Sequence, residues 1–491
     1  MALNNLKKNK HLLWRAGFGP AVEQISDLTN YTPNQFYKAL IKASSKKPEY
    51  IDVADNYLKG LVMGIDQVGK MQQKEIPEEQ RKKIQQQNRQ GVRNLNLFWL
   101  QEMVNSGAQL REKMSFFWHG HFACRNLNVF YQQGLLDVIR RNALGNFRDL
   151  LHEVSRSAAM LFFLNNQQNR KDQPNENFAR EVMELFTLGR GNYTEHDIKE
   201  AAKAFTGWGA NLKGEFLFRR LQHDFGNKTV LGKTGNFDGD EILDILLEQK
   251  QTARFIAHKI YRFFVNDIID AEKAEWLADR FYKSDYDISK LLEDIFTSDW
   301  FYDEKNIGCK IKSPVELLAG IQRMLPMKLE NEEVLQLLQR LLGQMLFYPP
   351  SVAGWAGGKT WIDSSTLMLR MRIPQMMNDK DEINVKPKDD DDQQMGRKYD
   401  EVANEDEKRI QMKSARQGKP VNVEIDWSKY LEYYKSVSKD SLGETMQQLL
   451  LQVKSEVSTD LIKSYADNGS RETFIKSATI QIMSTPEYQL C

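Results

Sequence analysis

Two histidines separated by one glycine are the first residues in this chain whose chemistry suggests a function. His119 and His121 stand in the aromatic segment Phe-Phe-Trp-His-Gly-His-Phe. Imidazole nitrogens are common ligands of Zn²⁺ and related cations, and a helix break at Gly120 would let the two rings converge. The alternative is that apolar neighbours bury both rings and that their nitrogens bond to backbone carbonyls.

Carboxylates that would complete such a metal site occur later in the chain. The segment between Pro174 and Gly189 predicts a helix, in which Glu181 and Glu184 are spaced i and i+3. Their like charges repel unless Arg180 or a cation lies between them. Carboxylates and imidazoles together suit Zn²⁺, Mn²⁺ or Fe, and we predict a divalent metal of this kind. The alternative is an ordinary salt-bridged helix. The predicted metal ligands are His119, His121, Glu181 and Glu184.

A histidine and an aspartate are adjacent in a stretch with turn residues in place of helical periodicity. His223 and Asp224 lie between Thr206 and Asp240, and long ordered loops often contain binding residues. This pair can supply a general base or an orienting hydrogen bond. We predict that both are catalytic, together with Arg180.

Three tryptophans in loop segments are predicted to bind substrate. Trp208 follows a Thr-Gly pair, and Trp355 and Trp361 belong to a loop that begins Pro-Pro and continues with glycines. Exposed indole rings stack on sugars or on partner side chains, whereas buried ones only fill the space between a loop and the body. The sequence leaves both alternatives open. No phosphate loop, Gly-x-Ser-x-Gly elbow or dinucleotide fingerprint occurs in the sequence.

The composition excludes several classes of protein. Among 491 residues, 68 Lys and Arg nearly cancel 67 Asp and Glu, so we predict no nucleic-acid partner. Three cysteines cannot form a disulfide framework. No apolar run is long enough for a membrane span. Without a visible signal peptide, the expected localisation is cytoplasmic.

Apolar residues recur at three- and four-residue spacing, which predicts an all-α chain with long loops rich in Gly, Pro and Trp. We predict a main helical body over 1–375, which includes a polar excursion at 66–92. A flexible charged insertion is predicted over 378–424, because it has too few apolar residues to offset its ordering entropy. A helical segment over 426–491 is predicted to pack back on the body.

A series of motifs extends along almost the whole chain. They are HLLWRAGFGP at 11–20, EKMSFFWHGHFA at 112–123, ALGNFRDLLHEVSRSAAML at 143–161, QNRKDQPNENFAREVMELFTLG at 168–189, YTEHDIKEAAKAFTGW at 193–208, HDFGNKTVLG at 223–232, IKSPVEL at 311–317, PPSVAGWAGG at 349–358 and STPEYQL at 484–490. In this order they resemble the bacterial family catalogued as domain of unknown function 1800. The resemblance leaves out only 40–90 and 378–424.

This resemblance implies a mostly helical, enzyme-sized domain whose activity is undetermined. Genes of the family often accompany a second family, domain of unknown function 1501, which resembles the alkaline-phosphatase and sulfatase superfamily and commonly has a twin-arginine export signal. The implied partner is a protein of that second family, and export with it is the alternative localisation, periplasmic or extracellular. The family's motif residues, which have no assigned roles, are His119, His121, Arg180, Glu181, Glu184, His223 and Asp224.

Two functional hypotheses follow. The first is a metal-assisted hydrolase or transferase that acts on a glycan or modified polymer together with the phosphatase-like partner. The second is a non-catalytic binding protein or export chaperone for that partner, which fits the neutral charge and the lack of a standard catalytic signature.

Overall fold

The computed structural model describes residues 2–60, 77–211, 213–379, 382–383 and 419–491. This part of the chain is predominantly helical, as the apolar periodicity predicts. Its α-helices are α1 (Ala2–Arg15), α2 (Asp27–Asn30), α3 (Pro33–Ser44), α4 (Glu78–Asn105), α5 (Gln109–His121), α6 (Val129–Asn142), α7 (Phe147–Arg156), α8 (Ala158–Phe163), α9 (Asn177–Glu181), α10 (Glu195–Ala204), α11 (Gly239–Glu248), α12 (Lys250–Phe264), α13 (Ala271–Lys283), α14 (Ile288–Phe296), α15 (Pro314–Met324), α16 (Glu333–Leu341), α17 (Ser364–Asp379), α18 (Ser428–Tyr434), α19 (Leu442–Leu450), α20 (Thr459–Tyr465) and α21 (Arg471–Met483).

Short antiparallel sheets are the departure from the predicted all-α fold. Within the described residues, β1 pairs with β2, β3 with β4, β5 with β8 and β6 with β7. Strands this short contain too few residues for an alternating pattern, so periodicity does not detect them. Their bounds are β1 (Trp208–Ala210), β2 (Phe216–Phe218), β3 (Lys228–Val230), β4 (Lys233–Gly235), β5 (Met327–Leu329), β6 (Glu382–Ile383), β7 (Lys419–Pro420) and β8 (Val423–Ile425).

Helix α5 lies at the centre of the structure. Every residue of this helix except Gly120 is buried. Trp118 stacks on Phe147 of α7, with ring centroids 5.3 Å apart, and Trp99 of α4 contacts His119. Apolar burial of this extent is the main stabilising contribution to the fold, and it fixes the position of both histidines.

Three consecutive charged residues of α5, Arg111 to Lys113, are buried and have partners. Glu112 accepts hydrogen bonds from Nε of Arg111 and from Nε1 of Trp99, both at 3.0 Å. Lys113 forms an ion pair with Glu316 of α15 and donates to the carbonyl oxygen of Trp14 at 3.1 Å. Buried charges require such partners because they have lost their hydration.

The C-terminal segment packs against the first helix and against the residues that precede α15. Nζ of Lys10 donates to the carbonyl oxygen of Leu451 at 2.5 Å, and Nζ of Lys312 donates to that of Tyr488. Ile311 and Leu490 form an isolated antiparallel bridge. These contacts hold the end of α19 and the segment after α21 on the body.

Parts of the predicted domain organisation lie outside the described residues. In the polar excursion, 66–76 is outside, whereas 78–90 is the largely exposed start of α4. In the charged insertion, 380–381 and 384–418 are outside, and its last residues contribute β7 and β8. The division into body, insertion and tail stays a prediction.

The buried pair of Lys113 and Glu316 gives a stability prediction. Lys113→Met leaves the Glu316 carboxylate buried and unpaired, so we expect the free energy of unfolding to fall by about 3–5 kcal/mol. Urea denaturation measures the change. The control is Lys82→Met, which removes an exposed ion pair with Glu78 and should not change the midpoint measurably. Equal midpoints for wild type and Lys113→Met would contradict this view of the core.

Candidate functional site

The two histidines of the His-Gly-His motif occupy the last turn of α5. The helix continues through Gly120 to His121, so the predicted break at this glycine does not occur. Rings at i and i+2 of a regular helix point to different sides. His119 and His121 accordingly contact different parts of the chain.

His119 is buried among aromatic rings. Its Nε2 accepts a hydrogen bond from the backbone N–H of Phe347 at 3.2 Å, which places the ring proton on Nδ1. The ring stacks on Trp355 at 5.5 Å and contacts Trp99 at 5.1 Å. Burial lowers the pKa of His119 to about 3, so the imidazole is neutral at physiological pH.

The loop from Phe347 to Gly358 packs directly on this turn. Gly354 has φ +77°, and a Cβ atom at this position would clash with the carbonyl oxygen of Gly120. A glycine is therefore required by both the backbone conformation and the close approach. Of the predicted substrate-binding tryptophans, Trp355 is half-buried against His119 and Trp361 is buried.

His121 is hydrogen-bonded on both ring nitrogens. Nε2 donates to the carbonyl oxygen of Phe186 at 3.2 Å, and Nδ1 accepts from Nζ of Lys259 at 3.1 Å. Lys259 also donates to the carbonyl oxygen of Leu185 at 3.2 Å. Burial and the charge of Lys259 lower the pKa of His121 well below its ordinary value. Burial also lowers the pKa of Lys259 to about 8.

A π-helix provides the carbonyl groups that His121 and Lys259 bind. After α9 the backbone continues as a π-helix over Val182–Thr187. The last carbonyls of a helix have no intrahelical partner, and basic side chains often bind them. Sequence reasoning missed Lys259. The available signal was a lysine on the apolar stripe of α12, one turn after Phe255.

The predicted carboxylate ligands belong to a separate network. Glu184 accepts from Nη2 of Arg190 at 2.7 Å and from the hydroxyl of Tyr193 at 2.5 Å. Burial, with the Glu184 charge, raises the pKa of Glu181. Arg180 pairs with Glu195 at 2.7 Å and with Glu176 at 3.1 Å, which agrees with the alternative of an ordinary salt-bridged helix.

The structure does not bring the predicted metal ligands together through any contact. Within residues 2–60, 77–211, 213–379 and 419–491, no group of three or more His, Cys, Asp or Glu side chains is close enough to hold a metal ion. His119 and His121 contact the Phe347 amide and Lys259, whereas Glu184 contacts Arg190 and Tyr193. The metal site stays a prediction without support from these contacts.

The predicted catalytic pair lies in another place, beside β1 and β2. Nδ1 of His223 donates to the carbonyl oxygen of Thr206 at 2.9 Å, and Oδ1 of Asp224 accepts from the N–H of Gly226 at 2.7 Å. Burial is the largest cause of the lowered pKa of His223. Trp208 is buried nearby and contacts Phe205 at 5.2 Å, so it fills space between elements.

Sequence reasoning missed the surface around His223. We call it the apolar loop surface, and its members are Phe218, Leu221 and Phe225, which are all exposed. Leu221 is 90% exposed. The rings of Phe218 and Phe225 contact His223 at 5.0 and 4.7 Å. The available signal was Phe-Leu-Phe-Arg-Arg-Leu in a segment without helical periodicity.

A comparison with protein-family models shows which family the chain belongs to. The model described as "Protein of unknown function (DUF1800)" matches residues 11–490. The chain belongs to this family. Comparisons of this DUF1800 protein with curated proteins and with solved structures give no match. The described helices include none with the length and apolar character needed to cross a bilayer.

Two surface cavities lie away from the predicted site residues of the DUF1800 protein. One, of about 620 Å³, includes Trp427 and Met327 in its lining. The other, of about 470 Å³, includes Arg111 and Arg140. Neither lining includes a residue of the predicted metal, catalytic or tryptophan sets.

The contact between the loop and the histidine turn gives a second prediction. Gly354→Ala combines a positive φ with a clash, whereas Gly343→Ala has φ +83° and open space around the added methyl group. We expect Gly343→Ala to lose roughly 1–2 kcal/mol of unfolding free energy. Gly354→Ala should lose about 1–3 kcal/mol more, because the loop must move off Gly120. Urea denaturation of both variants checks this, and equal losses would show that the loop does not press on the turn.

Proposed function

We propose that this DUF1800 protein is a non-catalytic binding protein and that the apolar loop surface is its docking site. The supporting observation is three large apolar side chains exposed within eight residues, from Phe218 to Phe225. Single exposed apolar residues are common on soluble proteins, whereas clusters of this kind mark interaction sites.

The backbone below the apolar loop surface is fixed by hydrogen bonds. The N–H of Arg219 donates to the carbonyl oxygen of Gly207 at 2.7 Å, and the N–H of Lys171 donates to that of Gln222 at 2.8 Å. Gly207 has φ +81°, and a Cβ atom there would lie 2.7 Å from the carbonyl oxygen of Arg219. A surface held in this way loses little conformational entropy on binding.

The charges around the surface indicate the kind of partner. Arg220 packs over the ring of Phe225 at 5.5 Å, and Arg170, Lys171 and Asp172 are exposed beside Gln222. Complementary charges at the rim of an interface increase its association rate and specificity. The fitting partner is a protein with an apolar patch and a rim that has charges of both signs.

The partner in this proposal is the alkaline-phosphatase-like or sulfatase-like protein of the family named domain of unknown function 1501. This choice rests on the family resemblance. The proposal includes export together with that partner, which would place the complex outside the cytoplasm.

A substitution at the most exposed residue of the surface tests the docking proposal. Leu221→Asp places a charge where the partner buries an apolar side chain, so we expect Kd for the purified partner to rise at least tenfold. Calorimetric titration measures Kd. The control is Ile268→Asp, because Ile268 is 81% exposed at another place on the surface. Circular dichroism establishes that both variants are folded.

Two outcomes contradict this docking proposal. One is an unchanged Kd for Leu221→Asp. The other is an equal loss of affinity for Ile268→Asp, which would show that the effect of the charge is not specific to the apolar loop surface.

A second candidate is the metal-assisted hydrolase or transferase that acts on a glycan or modified polymer. The observation that favours an enzyme is Lys259, whose pKa is lowered by burial to about 8, beside His121 and the π-helix. Lowered lysine pKa values and π-helices both occur often at functional sites. A metal ion at Nδ1 of His121 must first displace the Lys259 ammonium.

Metal analysis of the purified protein tests this second candidate. If the second candidate is right, the wild-type protein holds a stoichiometric divalent ion that is lost in His121→Ala. The ion should be retained in His258→Ala, because His258 pairs with Glu275 and is not a predicted metal ligand. Mass spectrometry of the digested protein measures the metal content. A wild-type preparation without zinc, manganese or iron removes the metal-assisted mechanism.

A further inference from the structure

A basic cleft lies between the end of α3, the start of α5 and the turn between α6 and α7. It is the cavity of about 470 Å³, and among the described residues no Asp or Glu lines it. The whole chain has a net charge of only +1, so a lining whose charged residues are all cations is not a consequence of a basic composition. The charged residues of its lining are Lys46, Lys47, Arg111, Arg140 and Arg141.

Two of these arginines are buried in the floor of the cleft and oriented by one carboxylate. Arg111 and Arg140 are 7% and 2% exposed. Nε of Arg111 donates to Oε1 of Glu112 at 3.0 Å, and Nε of Arg140 donates to Oε2 at 3.0 Å. Glu112 is fully buried and also accepts from Trp99. Both guanidinium groups are therefore preorganised before any ligand binds.

The same arginines hold the outer wall of the cleft. Nη1 of Arg111 donates to the carbonyl oxygen of Lys46 at 2.6 Å, and Nη1 of Arg140 donates to that of Glu49 at 2.7 Å. The backbone N–H of Arg111 donates to Oγ of Ser44 at 3.2 Å. These bonds fix the segment that presents the side chains of Lys46 and Lys47 at the rim.

The three arginines of the lining pair with carboxylates behind it, whereas the two lysines do not. Arg111 and Arg140 share Glu112, and Arg140 also pairs with Glu102 at 3.0 Å. Arg141 pairs with Asp137 and Glu153. Among the described residues, Lys46 and Lys47 form no ion pair, and both are exposed. An anion in the cleft would gain most of its charge attraction from these two lysines.

We propose that the basic cleft binds a small organic phosphate or sulfate ester. Guanidinium groups and ammonium groups together are the usual ligands of tetrahedral oxyanions. A volume of about 470 Å³ exceeds that of an inorganic ion and lies within the range of small-molecule sites. Ser44, Ser45 and Ser289 add hydroxyl groups to the lining. This site shares no residue with the apolar loop surface, so each proposal can fail alone.

Calorimetric titration with 4-nitrophenyl phosphate and 4-nitrophenyl sulfate at low salt tests the proposal, with 4-nitrophenyl glucoside as the uncharged analogue. We expect wild-type protein to bind at least one of the esters and not the glucoside. Binding of only one ester identifies phosphate or sulfate as the group recognised. The double variant Lys46→Gln, Lys47→Gln should raise Kd at least tenfold.

The matched control is the double variant Lys82→Gln, Lys83→Gln, which removes two adjacent exposed lysines from α4. It should bind the ester as wild type does, and thermal unfolding establishes that both double variants are folded. Three outcomes overturn the proposal. They are the absence of binding to both esters, equal binding of the glucoside, and an equal loss of affinity in the two double variants.

Discussion

Burial of α5 is the constraint on which the rest of the structure depends. The helix contains Arg111, Glu112 and Lys113 in succession and His119 and His121 at its end, and all five residues are buried. Each polar group inside a protein must find a partner or lose stability. The partners come from distant segments, among them α15, the loop after α16 and α12, so burial of one helix determines how these elements meet.

This constraint also separates the residues that looked like one site. His119 accepts a hydrogen bond from the Phe347 amide and stacks on Trp355. His121 is hydrogen-bonded to Lys259 and to the Phe186 carbonyl. A neutral histidine that is hydrogen-bonded to main-chain groups has a structural role in packing. Among the described residues, the apolar loop surface and the basic cleft remain accessible to other molecules, and both depend on backbone segments that hydrogen bonds hold in place.

The helical character could be predicted from the sequence, because apolar periodicity is a local signal. The family could be predicted as well, because many motifs in a fixed order add up to one strong signal. The sequence was insufficient for the site. Gly120 suggested a break, but the helix is regular through His121, and Gly354 packs against Gly120. The π-helix of Val182–Thr187 has no separate period in the sequence. Lys259 acts on a histidine in another helix, and such a contact depends on tertiary structure alone.

Nitrogen-15 NMR of the histidine side chains, with and without one equivalent of Zn²⁺, tests whether the two histidines of α5 are structural. Their different partners predict a proton on Nδ1 of His119 and on Nε2 of His121. We expect both rings to be neutral from about pH 5 to 8 and unchanged on addition of zinc. Zinc-induced shifts of the His119 and His121 resonances would contradict a structural role and would restore the metal hypothesis.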